Sequence, residues 1–396
     1  MWEVRFYMEF CEPEEMGFNR IKLEQALDLV ERNTSTGDYE GVYPGAVVMI
    51  IRKGNIVVNE AYGYRSLGSK KALMTTDTIF DLASITKPVA TTSAFLRLLE
   101  MGEVKVDDPI GRYLPELKRS EGQKITMFHL LTHTSGLPGW LPTYIHGDSR
   151  DELIRYVLSL RSEYEMGTKV VYSCMGFIIL GLALERILGY DFSEFLRENI
   201  FEKLQMEDTR FYSVEECKSP ERLAPTGERS ERLWAWLTKN NLFLNKHIDG
   251  KVAFGSVNDE NAIALGGISG NAGLYSTAAD LSRFAIMYLN GGLYQEEQVL
   301  TPTSIKLATT NYTEGKGDNR GLGWLLKGPK NAFGNIISDG AYGHTGFTGT
   351  GLWVDPIREL VIILLTNRVH MMKNAEEIHN IRPQFVNAVV SSIIKT

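Results

Sequence analysis

The sequence predicts a mixed α/β protein in which both chain ends build one antiparallel sheet and a mostly helical stretch is inserted between them. Three observations carry this. Near the N-terminus, two runs dense in Val and Ile, 46–52 and 56–61, are joined by Lys53-Gly54-Asn55, which is the composition of a β-hairpin. Near the C-terminus, 351–354 and 360–366 flank Asp355-Pro356, a turn-forming pair. Between these ends, apolar residues recur at helical spacing instead of alternating.

In chain order, Ile21, Leu23, Ala26, Leu27 and Val30 fall at helical spacing, so 19–32 is expected as an amphipathic helix ahead of the first hairpin. Helices are then expected at 88–101, 126–133, 150–160, 176–188 and 193–204. Thr277 with Asp280 three residues on reads as an N-cap with an acid in the first turn, opening a helix through Leu289. The economical arrangement joins 16–94 and 297–396 in an α/β lobe, with 95–296 as a mostly helical lobe and 1–15 as an N-terminal extension. A cleft between the lobes is the expected substrate site.

Composition narrows the function. The 396 residues are 43% hydrophobic, ample for a large core. Net charge is −7, from 42 basic and 49 acidic residues, and the bases are scattered, which argues against a nucleic-acid surface. Cys11, Cys174 and Cys217 are odd in number and irregularly spaced, unlike a disulfide framework, and fit a reducing compartment. Residues 1–18 carry five glutamates and neither the basic nor the apolar region of a signal peptide, so a cytoplasmic protein is expected. The apolar runs 177–184 and 360–365 are too short to span a bilayer.

The strongest chemical signal is Ser84-Ile85-Thr86-Lys87-Pro88. If Ser84 opens a helix, Lys87 lies three residues on and on the same face, bringing an amine to a hydroxyl. Serine is a poor nucleophile until a base takes its proton. A partly buried lysine at a helix N-terminus is expected to be pushed toward its neutral form. Pro88 suits a first helical turn. Taken alone, any serine-capped helix with an early lysine matches this pattern.

Two further elements strengthen it. Tyr172-Ser173-Cys174 sits in a short loop before the helix at 176, where a tyrosine can shuttle a proton or simply staple the core. His344-Thr345-Gly346, followed by Phe347, lies on an expected strand. A strand glycine lets a substrate backbone approach, and neighbouring amides can hold an oxyanion; it can equally be an ordinary strand glycine.

In this order and at these intervals, the three elements resemble the motif set of class C β-lactamases, D-alanyl-D-alanine carboxypeptidases and family VIII-type esterases. The resemblance extends to 43–47, 80–84, 130–138 and 270–277, and covers the chain from about Met16 to its end. It implies a β-lactamase/transpeptidase-like fold and a serine hydrolase working without cofactor or metal. It also implies roles. Ser84 is acylated, Lys87 accepts its proton, and Tyr172 acts as general base and shuttle. The amides of Ser84 and Phe347 form the oxyanion hole, and His344 lines the pocket and orients Tyr172. Cys174, Thr345 and Gly346 meet the substrate, a small molecule or short peptide.

Two positions depart from the lactam-processing pattern. Cys174 stands where asparagine is usual, and a thiol is a weak donor and acceptor. His344 stands where lysine is usual, and a histidine is mostly neutral near pH 7. Both favour small carboxylic esters, ahead of D-amino-acid peptides and β-lactams; a non-catalytic binding relative is the alternative of another class. His129 and His133 have metal-ligand spacing, yet no zincin glutamate accompanies them, so a capping or packing role is expected. The glycine-dense 266–273 reads as a tight loop bordering the site. Trp140 and Trp234-Ala235-Trp236-Leu237 are candidates for shaping an acyl pocket or packing the lobes.

Overall fold

The computed structural model describes residues 8–35, 41–68, 71–119, 124–212, 220–226, 257–329, 332–370 and 375–395. The tryptophan-rich stretch at 234–237 and Cys217 lie outside these residues.

Twelve strands are described: β1 (Gly45–Arg52), β2 (Asn55–Ser66), β3 (Ala72–Leu73), β4 (Phe80–Asp81), β5 (Arg210–Phe211), β6 (Leu274–Ser276), β7 (Leu293–Tyr294), β8 (Glu297–Gln298), β9 (Leu325–Leu326), β10 (Tyr342–Thr345), β11 (Gly351–Asp355) and β12 (Leu360–Thr366). Seven form the main sheet in the order β3-β2-β1-β12-β11-β10-β9. The two expected hairpins are its centre: β1 pairs antiparallel with β2 and also with β12, Ala46 opposite Thr366 and Arg52 opposite Leu360. The sheet is thus stitched from both chain ends.

Strand alternation gives the sheet two buried faces. Val47, Met49, Ile51, Leu352, Val354, Val361, Ile363 and Leu365 point to one core. That core includes the helices Ser93–Glu100, Cys174–Leu188 and Ala278–Leu289. Ala46, Val48, Ile50, Trp353, Ile362 and Leu364 point the other way, against Arg20–Glu31 and Ile378–Ser391. Asn19 caps the first of these helices and Thr277 caps Ala278–Leu289 through the Asp280 amide, as the sequence predicts.

Three local differences matter. The stretch read as helical contributes β5 and β6 to a second sheet, ordered β4-β6-β5, because strands this short depend on distant partners and leave no periodic pattern. The helix expected from 88 is wound as a wider π turn over Lys87–Thr92 before Ser93–Glu100 becomes α-helical. The helix expected over 126–133 is confined to Met127–Leu131, since His133 takes a left-handed backbone at φ 59°. Among the described residues, no helix is long and apolar enough to cross a membrane.

Candidate active site

Strand β4 leads directly into the turn that carries Ser84. The buried Asp81 carboxylate accepts from the Ala83 amide at 2.8 Å and the Asn258 amide at 2.7 Å. Ala83 sits at φ 47°, a left-handed conformation that costs a residue with a side chain about 1–2 kcal/mol. Strain of this kind collects where a side chain must be presented in one direction. The short 3-10 turn Ala83–Ile85 then sets Lys87 on the side of Ser84.

The Lys87 ammonium is fully buried and triply engaged. It donates to Ser84 Oγ at 3.1 Å, to the Asn271 carbonyl at 2.8 Å and to Cys174 Sγ at 3.7 Å. Burial pulls its pKa down, but Cys174, Tyr172 and the Asp259 carboxylate draw it up and prevail. The net direction is upward, which overturns the expectation of a neutral amine: the acceptors around Lys87 outweigh its desolvation.

Tyr172 lies across this pair, with Lys87 Nζ 4.9 Å from the ring centroid. The main chain around it is pinned by His133: the Val171 amide donates to the His133 carbonyl at 3.0 Å, and the Ser173 amide to His133 Nδ1 at 3.0 Å. The His133 ring packs on Tyr172 with centroids 4.6 Å apart. The Ser173 hydroxyl donates to the Pro138 carbonyl and caps the helix beginning at Cys174. The Tyr172 hydroxyl is buried and faces Lys87 and Ser84 closely enough for both to act on it. Burial raises its pKa against the opposing Lys87 charge, so it holds its proton.

His344 lies on β10 with its ring 5.9 Å from that of Tyr172, Nδ1 2.9 Å from the Thr345 carbonyl oxygen, and Nε2 buried without a partner among the described residues. Burial, then the Arg320 and Lys87 charges, hold it well below the usual histidine range, so it is neutral near pH 7. The turn after it is clamped to the Ser84 segment: Thr348 Oγ1 donates to the Asp81 carbonyl at 2.6 Å and Thr350 Oγ1 to the Leu82 carbonyl at 3.1 Å. A side chain at Gly346 would put its Cβ 2.0 Å from Thr350 Oγ1 and 2.4 Å from the Leu82 carbonyl oxygen, so this closeness requires glycine. From behind, buried Arg382 donates to the Gly346 carbonyl at 2.6 Å and the Thr350 carbonyl at 2.8 Å.

These side chains share one cavity of about 580 Å³, lined by Ser84, Tyr172, Cys174, His344, Thr345, Gly346 and Phe347 among others. Cavities of about 620 Å³ beside Phe211 and beside Tyr190 hold no hydroxyl–amine pair of this kind. A serine hydroxyl bonded to a buried ammonium, a protonated phenol and a glycine-edged strand together suit acyl transfer.

The β-lactamase family profile matches residues 28–384. The chain is 32% identical to an N-acetylmuramyl-L-alanine amidase of Bacillus subtilis (strain 168), over 89% of this chain and 82% of that protein. The chain belongs to the β-lactamase family. Another member, an Escherichia coli (strain K12) protein provisionally named a D-alanyl-D-alanine carboxypeptidase, is 29% identical over 90% of this chain and 85% of its own. The fold is shared with a penicillin-binding protein homologue from Caulobacter crescentus, at TM-score 0.70 and 20% identity, covering 95% of this chain and 99% of that one. With amidase- and carboxypeptidase-named members at this similarity, this β-lactamase-family chain is a serine hydrolase.

In this family member, the structure brings together the residues given chemical roles from sequence: Ser84, Lys87, Tyr172, Cys174, His344, Thr345, Gly346 and Phe347. His129 has the expected capping role, its Nδ1 accepting from the Thr126 amide at 3.2 Å. The 266–273 loop borders the site through the Asn271 carbonyl, and Trp140 lines the cavity. Sequence reasoning missed Asp81, Arg320 and Arg382. Asp81 sits inside the motif text yet carries no periodic signal, and the two arginines reach the cavity from segments remote in sequence.

Proposed function

We propose that this chain hydrolyses an amide bond in a short peptide-like substrate through an acyl-Ser84 intermediate. The observation that carries the reading is the 3.1 Å hydrogen bond from Lys87 Nζ to Ser84 Oγ, in a cavity that Tyr172 and the Gly346–Phe347 turn also line. Ser84 Oγ attacks the substrate carbonyl carbon while its proton passes to the Lys87–Tyr172 pair. Because Lys87 is held charged and Tyr172 protonated, the pair must first release one proton to serve as base. The developing oxyanion rests against the Ser84 and Phe347 amides, kept facing each other by the Thr348 and Thr350 clamps. Tyr172 protonates the departing amine, and water then deacylates Ser84. His344 orients Tyr172 as a neutral ring, and Thr345 and Gly346 meet the substrate backbone. Cys174 keeps Lys87 aimed at Ser84. The cavity is lined from 16–94, 95–296 and 297–396, which supports the two-lobe partition with the site at their join.

The amidase and carboxypeptidase names of the two relatives support an amide ahead of a small ester. The ester reading stands second, favoured by Cys174 in place of an asparagine amide donor. The test is kcat/KM of the purified protein for N-acyl dipeptides and for p-nitrophenyl butyrate. Ser84→Ala and Lys87→Ala should each lose at least about 1,000-fold while melting cooperatively. Full activity in Ser84→Ala overturns the reading; turnover of the aryl ester alone moves the assignment to the esterase.

A further inference from the structure

The proposed oxyanion donor beside β10, the Phe347 N–H, shares one peptide group with the Gly346 carbonyl. That carbonyl accepts from Arg382 Nη2 at 2.6 Å and from the Gly349 amide at 3.2 Å. Arg382 is 2% exposed and reaches this turn from the helix Ile378–Ser391, with a second bond from Nη2 to the Thr350 carbonyl at 2.8 Å. Among the described residues no carboxylate pairs with it, and its Nε is buried without a hydrogen-bond partner. Burial, then the nearby Arg368 charge, lower its pKa to about 9, so it remains a cation near pH 7. Holding a buried cation against main-chain carbonyls alone is costly, because neither acceptor carries the opposite charge.

Other bonds already hold the turn in shape. Thr348 and Thr350 tie it to the Ser84 segment, and the Gly346 amide donates to the Thr350 carbonyl at 2.8 Å. Arg368 holds the next peptide, its Nε donating to the Phe347 carbonyl at 2.5 Å and its guanidinium carbon lying 4.6 Å from the Phe347 ring centroid. What Arg382 adds is positive charge at one end of the peptide whose other end is the donor. The second proposed donor is built differently. The Ser84 N–H belongs to the Ala83–Ser84 peptide, whose carbonyl accepts from the neutral Thr86 amide.

We propose that Arg382 is a positioning residue that acts through the Gly346–Phe347 peptide, drawing electron density to the Gly346 oxygen so that the Phe347 N–H becomes the stronger donor of the oxyanion hole. The inference rests on the function proposed above, which puts the developing oxyanion against that N–H. Hydrogen bonds in a chain polarise one another, and a charged donor does so more than a neutral one. The gain is realised in the transition state, where the oxygen carries its charge, so it falls on kcat and leaves KM nearly unchanged. Losing a whole oxyanion donor costs about 100- to 1,000-fold in kcat, and weakening one should cost roughly tenfold.

The test follows hydrolysis of p-nitrophenyl butyrate together with the amide nitrogen resonance of Phe347, read in protein carrying isotopically labelled phenylalanine and assigned with Phe347→Leu. Three variants separate charge from hydrogen bonding: Arg382→Lys keeps the charge, Arg382→Gln keeps a neutral donor, and Arg382→Met keeps neither. In Arg382→Met the Phe347 nitrogen should move upfield and kcat should fall roughly tenfold at little-changed KM. Arg382→Gln should lie between, and Arg382→Lys nearer the wild type. Should Arg382→Met fail to melt cooperatively, Arg382→Gln against Arg382→Lys carries the same comparison. A Phe347 resonance that does not move, an unchanged kcat, a loss carried by KM, or equal losses in the Lys and Gln variants overturns the proposal. If the wild type turns over neither the ester nor an N-acyl dipeptide, the hydrolase function falls, and the Phe347 shift across the series still decides whether Arg382 polarises that peptide.

Discussion

At the scale of single residues, the site is organised around where its protons sit. Lys87 is surrounded by a hydroxyl, a thiol and a carbonyl that all favour the ammonium, and Tyr172 is buried enough to keep its phenol protonated. The resting site thus holds one proton more than a base can carry. Since the pKa of Lys87 is raised and the working form is the deprotonated pair, the active fraction grows as pH rises. We expect kcat/KM to climb steadily from pH 6 to pH 9. His344 is held well below its usual range and contributes no inflection between pH 6 and 8. A profile that falls over this range, or a bell centred near the ordinary histidine pKa, contradicts this assignment of protons. The sequence made the Ser84–Lys87 pairing legible, because three residues along a helical turn fix the geometry. It could not give the sign of the lysine shift, which depends on Cys174, Tyr172 and Asp259, brought there from elsewhere in the chain.

At the scale of elements, the clamp between β10–β11 and the Ser84 turn sets the distance across the proposed oxyanion hole. Gly346 is its tightest point, and Gly346→Ala would force a methyl group against Thr350 Oγ1 and the Leu82 carbonyl. We predict a loss of roughly 100-fold in kcat, the size of removing one oxyanion donor, together with a lower melting temperature, because the Leu82 carbonyl is backbone and must move. Unchanged kcat with the protein folded would show that the Phe347 amide has no such part. The elements themselves were unevenly legible. The two hairpins were readable because each pairs neighbours in sequence across a turn with suitable residues, Lys53-Gly54-Asn55 and Asp355-Pro356. The β4-β6-β5 sheet joins residues 80, 210 and 275 through strands two or three residues long, so no local pattern announces it. Even so, this small sheet runs straight into the Ser84 turn.

At the scale of the whole molecule, a sheet buried on both faces joins the two chain ends and carries polar groups deep inside. His133, His344 and His370 are all buried with depressed pKa values, His370 at about 4. Each takes up a proton more readily in the unfolded chain. Stability is therefore fully present above the ordinary histidine pKa and is lost as pH falls toward the folded value. For His370 the loss is up to about 3 kcal/mol across that window. Thermal melts from pH 7 to pH 4.5 should show a falling midpoint, and His370→Gln should flatten the slope. A midpoint that stays level in the unsubstituted protein would contradict it. The family resemblance made the overall architecture and the motif residues legible from sequence. Arg320 and Arg382 stayed hidden because a buried guanidinium looks, in sequence, like any surface arginine.

The central claim is that Ser84 is the acylated nucleophile. Intact-mass measurement after treatment with a fluorophosphonate tests it most directly, using Ser84→Ala as the comparison. One phosphonyl adduct per chain, absent in Ser84→Ala and slowed in Lys87→Ala, is the predicted result. An adduct that persists in Ser84→Ala, or a folded wild-type protein that is never labelled, would contradict it.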